Sequence, residues 1–271
     1  MRCPGGGASL AEQGERLKRL GMFAALLVVS SSLVVPRAHA GLAKGGGFFS
    51  HCQVSHFGRM DPIMSPGNMS AHEHEFFGNT TTDAESTLAS MSAGGTTCSA
   101  SGDTAGYWVP ALIGPRGHVV KAAVASMYYR PGGAEHVAPF PQDLRMISYR
   151  SSWHCGVGPS RPRPQDCGHR FVRASIEFPS CWDGTDLDSS DHMSHLTFDR
   201  GGRCTGVSVP KITLDVRYPI HDGTGYTLSS GPPKTLHADF WNTWQQDELS
   251  AIIDACLNSG VACGRVTGSM T

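Results

Sequence analysis

The apolar residues that follow residue 40 come in short runs separated by turn-forming residues. The chain has 33 Gly and 17 Pro in 271 residues, and both residue types interrupt regular structure. Short runs rich in β-branched and aromatic residues between such signals are typical of β-strands. The runs that we predict as strands are Tyr107–Ile113, Val119–Tyr129, Leu144–Ser148, Phe171–Phe178, His195–Phe198 and Ile212–Tyr218. The pattern predicts a mainly β fold, a single antiparallel β-sandwich-like domain.

Helical character is confined to two segments. The stronger one is Gln245–Asn258, where acidic residues near the start suit the helix dipole. Its apolar residues share one helical face: Leu249, Ile252, Ile253 and Leu257. The weaker one is Asp83–Ala89. The sequence therefore predicts a short C-terminal helix beside the strands.

Residues 1–40 have the features of a secretory signal peptide. A basic segment around Arg16 precedes the apolar run Met22–Val35, and Ala38-His39-Ala40 fits a cleavage site. We therefore expect secretion to the extracellular space and a mature domain of residues 41–271. An uncleaved membrane anchor is the alternative, although the apolar run is short for a membrane span.

Cysteine usage agrees with export. Without the leader, eight of the nine cysteines remain, and an even number in an oxidising compartment favours disulfides. Short separations suggest three pairs and leave a fourth: Cys155 with Cys167, Cys181 with Cys204, Cys256 with Cys263, and Cys52 with Cys98. A zinc site is the alternative for these thiols, but no CxxC pair is present.

The formal net charge is −1, so the protein as a whole does not attract polyanions. Because basic residues do not form a stripe, the sequence gives no electrostatic support for binding nucleic acid or anionic membranes. We also expect no stable membrane insertion once the leader is removed.

The segment Ser65–Gly78, SPGNMSAHEHEFFG, carries the first candidate site. In an extended strand, residues two positions apart point to the same face. His72 and His74 can therefore converge on one point, as metal ligands or as acid/base groups do.

Two later motifs offer partners for these histidines. SSDHMSH contains Asp191, His192 and His195, and HADFWNTW contains His237 and Asp239. One hypothesis is a metal centre for zinc or copper. Its ligands would be His72, His74, His195 and His237, with His192 and Asp239 as alternatives.

A second hypothesis uses histidines and carboxylates for acid/base chemistry without a metal. Its catalytic residues would be His74, His192, His237, Asp191 and Asp239. Residues predicted to bind substrate in either case are Trp241, Asn242, Arg59 and Asp61. A third hypothesis is a buried polar network that only makes the fold rigid. The nearby DGTDLDSSD segment is interpreted as an Asx-rich turn rather than a calcium loop.

Several blocks of the chain resemble a known family. They are RMDPIMSPGNMSAHEHEFFG, YWVPALI, MYYR, CWDGTDLDSSDHMSH, VSVPKITLDVRY, LSSGPPKTLHADFWNTW and CLNSGVACG. From about Phe57 to Cys263 the chain is similar to the DUF1996 family of secreted proteins of undetermined function. The resemblance implies a secreted, disulfide-bonded, β-rich domain, often met in carbohydrate-active settings. We therefore expect action on extracellular polysaccharide, or, as the alternative, a non-catalytic module that binds a glycan or cell wall.

Overall fold

The computed structural model describes residues 45–269 of the chain. The signal-peptide prediction lies outside these residues. Within them, none of the helices has both the length and the apolar character needed to cross a membrane.

One large sheet has six strands. They are β1 (Gly47–Cys52), β7 (Val124–Arg130), β9 (Ser151–Cys155), β10 (Val172–Glu177), β14 (Lys211–Arg217) and β17 (Ala262–Arg265). Their spatial order is β17-β1-β7-β14-β10-β9. Neighbours pair antiparallel, except that β1 and β17 run parallel.

The second large sheet has five strands, all paired antiparallel. They are β2 (Val54–Met60), β3 (Met69–Gly78), β4 (Gly106–Pro110), β8 (Arg145–Ser148) and β16 (Ala238–Trp241). Their spatial order is β2-β3-β4-β16-β8. Strand β3 ends at Gly78, whose φ of 78° and close approach to the Ala105 carbonyl leave no room for a side chain.

Two small three-stranded sheets lie in the connections. One contains β11 (Cys181–Trp182), β12 (Leu196–Thr197) and β13 (Val207–Ser208), and the other contains β5 (Leu112–Ile113), β6 (Val119–Val120) and β15 (Thr227–Leu228). The helices are α1 (Leu88–Ser92), a 3₁₀ turn at Pro233–Thr235, and α2 (Gln246–Ile252), which continues as a π-helical segment at Ile253–Asn258. The predicted C-terminal helix is thus present.

The inner faces of the two large sheets share one hydrophobic core. On β14, Leu214 and Val216 are fully buried in that core, whereas the alternate residues Thr213, Asp215 and Arg217 lie on the other face. Phe77 and Phe240 of the five-stranded sheet enter the same core. This arrangement confirms the predicted antiparallel sandwich-like fold.

A smaller hydrophobic cluster covers part of the outer face of the five-stranded sheet. Its members are Ile63, Phe76, Met91, Trp108, Ile147 and Trp241. The register places Phe76, Trp108, Asp239 and Ile147 in one row across four strands. Asp239 therefore lies beside a buried apolar surface.

Four disulfides join the cysteine pairs predicted from the sequence. They link Cys52 to Cys98, Cys155 to Cys167, Cys181 to Cys204, and Cys256 to Cys263. Each bridge lowers the conformational entropy of the unfolded chain and so stabilises a fold that is rich in loops.

Candidate metal centre

Strand β3 places His72 and His74 on the outer face of the five-stranded sheet, as the two-residue spacing predicts. Phe76, two residues further on, belongs to the outer hydrophobic cluster, whereas Phe77 enters the main core. The centroids of the two imidazole rings lie 4.3 Å apart.

Strand pairing brings His237 to the same place. His74 pairs with Pro110 of β4, and the pairing of Asp239 with Trp108 sets His237 opposite Pro110 from the other side. Since Pro110 has a compact side chain, the two imidazoles meet above it. The His237 ring lies 5.1 Å from the His72 ring and 5.8 Å from the His74 ring.

One nitrogen from each of these three rings lies within 4.8 Å of the other two. Nitrogens bound to one zinc ion at about 2.1 Å can be no more than about 4.2 Å apart. Because this bound is close to that limit, at most a small rotation of the side chains brings all three to one ion. We name this group the three-histidine cluster.

Hydrogen bonds to backbone carbonyls fix the tautomer of two members. The Nδ1 atom of His74 lies 2.8 Å from the Met60 carbonyl oxygen, and Nδ1 of His237 lies 2.8 Å from that of Thr235. A carbonyl only accepts, so Nδ1 must carry the proton in both rings. The lone pair is then on Nε2, which is the arrangement typical of histidines that bind metals.

Several polar atoms at the cluster are buried without a hydrogen-bond partner among residues 45–269. They are Nε2 of His72, Nε2 of His74 and both carboxyl oxygens of Asp239. Leaving such an atom unsatisfied costs roughly 1–3 kcal/mol. A cation bound between the rings would satisfy the two nitrogens.

The environment keeps the imidazoles uncharged. Burial, reinforced by the neighbouring His237 and Arg59, lowers the pKa of His72 to about 4. Burial, reinforced by the other two rings, lowers the pKa of His74 to about 3. Burial also lowers the pKa of His237. Since metals bind the neutral imidazole, the cluster is ready to coordinate at neutral pH.

Asp61 and Asp239 form a second group with His74, again with one ligand atom each within 4.8 Å of the others. Oδ2 of Asp61 lies 4.0 Å from Nε2 of His74, while its Oδ1 accepts from the backbone N–H groups of Ile63 and Met64. Burial, and next the charge of Asp61, raises the pKa of Asp239 well above its usual range. His74 is thus shared by the three-histidine cluster and this carboxylate pair.

His195, predicted as a metal ligand, does not join the cluster. Its Nε2 lies 2.7 Å from the Arg145 carbonyl oxygen, and its Nδ1 lies 2.8 Å from the Ser189 hydroxyl. Both ring nitrogens are therefore used inside the protein. The structure corrects this prediction, because no nitrogen of His195 is left for a metal.

The other residues of the same loop form a turn. Exposed Asp191 accepts from the backbone N–H groups of Met193 and Ser194, and these bonds hold its pKa well below the usual range. Its Oδ1 is therefore engaged in the turn. His192 bonds Asp188 through Nδ1 at 2.9 Å. The charge of His192 also opposes the rise in the pKa of Asp61 that burial causes, so this ring lies at the rim of the site.

Two of the predicted substrate contacts are buried. Trp241 is 1% exposed, and its Nε1 donates to Asp143 Oδ1 at 2.7 Å. Asn242 is fully buried and donates to the Phe140 and Pro141 carbonyls. The structure corrects both predictions, because neither side chain has a free surface for a sugar.

Arg59 and Asp61 remain at the site with structural bonds of their own. The exposed Arg59 donates to the Ser70 and Ala71 carbonyls of β3 and so braces the β2–β3 pair. Its charge reaches His72, whose pKa it lowers.

The aromatic residue that flanks the cluster is one that the sequence analysis missed. Tyr149 is 56% exposed, and its ring lies 5.3 Å from the His237 ring. It follows β8 directly, and the pairing of Ser148 with Ala238 sets it beside His237. The sequence does show an aromatic residue directly after the predicted strand Leu144–Ser148. That this residue lies beside His237 follows only from the pairing of β8 with β16.

The fold and the site define a β-rich, disulfide-bonded domain with a three-histidine cluster on an outer sheet face. The family model for DUF1996, a domain of unknown function, matches residues 61–244. The chain belongs to this family, as the resemblance indicated. None of the curated proteins compared and none of the solved structures matches the chain.

Proposed function

We propose that this protein is exported as a mature domain of residues 41–271 and cleaves an extracellular polysaccharide at a zinc or copper centre. His72, His74 and His237 hold the metal. The observation that carries this proposal is that the buried Nε2 atoms of His72 and His74 have no hydrogen-bond partner among residues 45–269, while backbone carbonyls fix the Nδ1 proton of His74 and His237. Imidazole nitrogens suit both zinc and copper.

Export is supported by the four disulfides, because such bonds persist in oxidising compartments. The leader-like segment of residues 1–40 supports the same conclusion.

Polysaccharide as the substrate is supported by the surroundings of the three-histidine cluster. The exposed ring of Tyr149 stands against His237 and offers an apolar face on which a sugar ring can stack. Arg59, on the side of His72, offers guanidinium donors to hydroxyl groups near the same point.

A bound ion would supply a Lewis acid and would lower the pKa of a bound water. The residues of this chain would orient that chemistry. The Met60 and Thr235 carbonyls hold two of the rings, and Asp61 and Asp239 accept or return a proton close to His74. The outer hydrophobic cluster excludes water from beneath Asp239.

The test is elemental analysis of the mature protein, produced without a His tag and reconstituted with zinc or copper. We expect one equivalent of metal in the wild type and in His192→Ala, and none in His74→Ala. His192→Ala is the matched control because it removes an imidazole outside the cluster. A wild type without metal after reconstitution would contradict the metal centre.

Activity is tested on the same samples by the release of reducing ends from β-1,3-glucan, chitin, xylan and polygalacturonate. We expect the metal-loaded wild type to cleave at least one of them and His74→Ala to cleave none. Saturable binding to a glycan without cleavage, equal in the wild type and in His74→Ala, would favour a non-catalytic glycan-binding module instead.

A further inference from the structure

A groove with a volume of about 750 Å³ lies on the outer face of the six-stranded sheet. It is lined by residues that alternate with the core residues of β1, β7, β10 and β14. The three-histidine cluster lies on the outer face of the other large sheet, so the groove is separate from it. Its size falls within the range of about 300–1,000 Å³ that is typical of ligand sites.

The groove has an excess of positive charge in a protein with almost no net charge. Arg173, Arg217 and Arg265 line it, together with a single carboxylate, Asp215. Arg173 pairs with Asp215 at 2.6 Å. Among residues 45–269, neither Arg217 nor Arg265 has a carboxylate within ion-pair distance.

Two further observations show that these charges converge. Burial lowers the pKa of His51, and the charges of Arg265 and then Arg217 lower it further, so both guanidinium groups act on this ring. Nε of Arg173 is buried and has no hydrogen-bond partner among the described residues. A planar guanidinium matches a carboxylate in a two-point hydrogen bond.

An aromatic surface lies beside the arginines. The ring of Tyr128 lines the groove, packs 5.2 Å from the Phe49 ring and has the guanidinium of Arg130 over it at 5.3 Å. His51 and Ser126 also line the groove and are joined to each other by a hydrogen bond of 2.8 Å, whereas the Ser99 hydroxyl bonds the His51 N–H and the Val266 carbonyl. A ring flanked by guanidinium groups suits a ligand that combines sugar rings with negative charge.

We propose that this groove binds an acidic polysaccharide whose sugar rings carry carboxylate groups. Arg217 and Arg265 contact the carboxylates, and Tyr128 contacts a sugar face. The groove requires no metal, so the proposal goes beyond the function proposed above and does not depend on it.

The test is calorimetric titration of the whole mature protein with oligogalacturonate. We expect binding by the wild type and at least about tenfold weaker binding by Arg217→Gln/Arg265→Gln, since the loss of one charge-assisted hydrogen bond alone weakens binding by about tenfold or more. Both arginines are exposed, so we expect the double variant to keep the wild-type melting temperature. Arg116→Gln, which neutralises an exposed turn arginine outside the groove, is the matched control and should bind as the wild type does.

Three further titrations make the result specific. The carboxyl-reduced oligosaccharide and a poly-glutamate peptide of matched length should bind at least about tenfold more weakly than oligogalacturonate. The chelator-treated, metal-free wild type should bind as the zinc-loaded wild type does, which separates the groove from the metal centre. No binding by the wild type, equal binding of the peptide, or an equal loss in Arg116→Gln would overturn the proposal.

Discussion

Two histidine motifs of this chain differ in how the folded protein satisfies their ring nitrogens. His195, in the loop between β11 and β12, has both nitrogens bonded to protein atoms. On β3, the buried Nε2 atoms of His72 and His74 have no hydrogen-bond partner within the described range 45–269. Both motifs combine histidines with acidic residues. Hydrogen-bond satisfaction therefore distinguishes a histidine that holds a loop from one that can hold a ligand.

The largest effect that we predict is on stability. His195→Ala removes two hydrogen bonds and leaves a cavity, so we expect the metal-free protein to lose about 3 kcal/mol of unfolding free energy. His72→Ala should lose less than about 1 kcal/mol, because Nε2 of His72 makes no bond and the ring is partly exposed. Urea unfolding of both variants with a chelator present measures the difference. Equal losses would mean that His72 also has a structural role.

Stabilisation by zinc should depend on the cluster histidines and not on those of the loop. Zinc at a hundred times its dissociation constant should raise the unfolding free energy of the wild type by about 2.7 kcal/mol. His237→Gln should lose this stabilisation, because it removes one of the three converging nitrogens. His192→Gln should keep it. Thermal unfolding with and without zinc provides the measurement, and retained stabilisation in His237→Gln would exclude that residue as a ligand.

The pH dependence of the metal-free protein tests the burial of His74. Its pKa is about 3 in the folded protein against 6.5 ordinarily. Below pH 6.5 the unfolded chain therefore binds a proton that the folded protein does not, and stability falls as the pH falls. The loss from this residue should be about 2 kcal/mol between pH 6.5 and about 5.

The matched variant for that measurement is His74→Gln, whose amide can still donate to the Met60 carbonyl. Its unfolding free energy should fall less steeply over the same pH interval, by the amount that His74 contributes. Parallel pH profiles for the wild type and the variant would show that the folded protein protonates His74 as readily as the unfolded chain.

Much of the fold could be predicted because strands with alternating burial leave a pattern in sequence. The run Ile212–Tyr218 was predicted as a strand and forms most of β14. Strands β1, β2 and β9 were not predicted, because serine, histidine or glycine dilute their apolar residues, and β16 has only four residues. The places of β1 and β16 are determined by pairing with strands distant in the chain, which no local pattern reports.

The candidate site was only partly predictable for the same reason. The spacing of His72 and His74 fixes their common face, since it depends on one strand alone. The approach of His237 depends on the register of β4 with both β3 and β16. Trp241 was predicted to bind substrate, yet it packs under the guanidinium of Arg145 at 4.1 Å.

The smallest effect that we predict concerns His192. It shares the loop of His195, where its ring bonds Asp188. Its backbone has a φ of 58°, a conformation that costs a residue with a side chain roughly 1–2 kcal/mol. His192→Gly relieves that cost but loses the hydrogen bond to Asp188, worth about 0.5–1.5 kcal/mol. The net change in unfolding free energy should therefore be below about 1 kcal/mol.

His192→Ala is the informative companion, because it loses the same hydrogen bond without relieving the backbone. It should be less stable than His192→Gly by about 1 kcal/mol in urea unfolding. If His192→Gly were instead strongly destabilised, the imbalance would point to the charge that His192 presents to Asp61. His192 would then contribute to the carboxylate pair at the metal centre. It would belong with the residues of the site and not with the hydrogen-bonded residues of the loop.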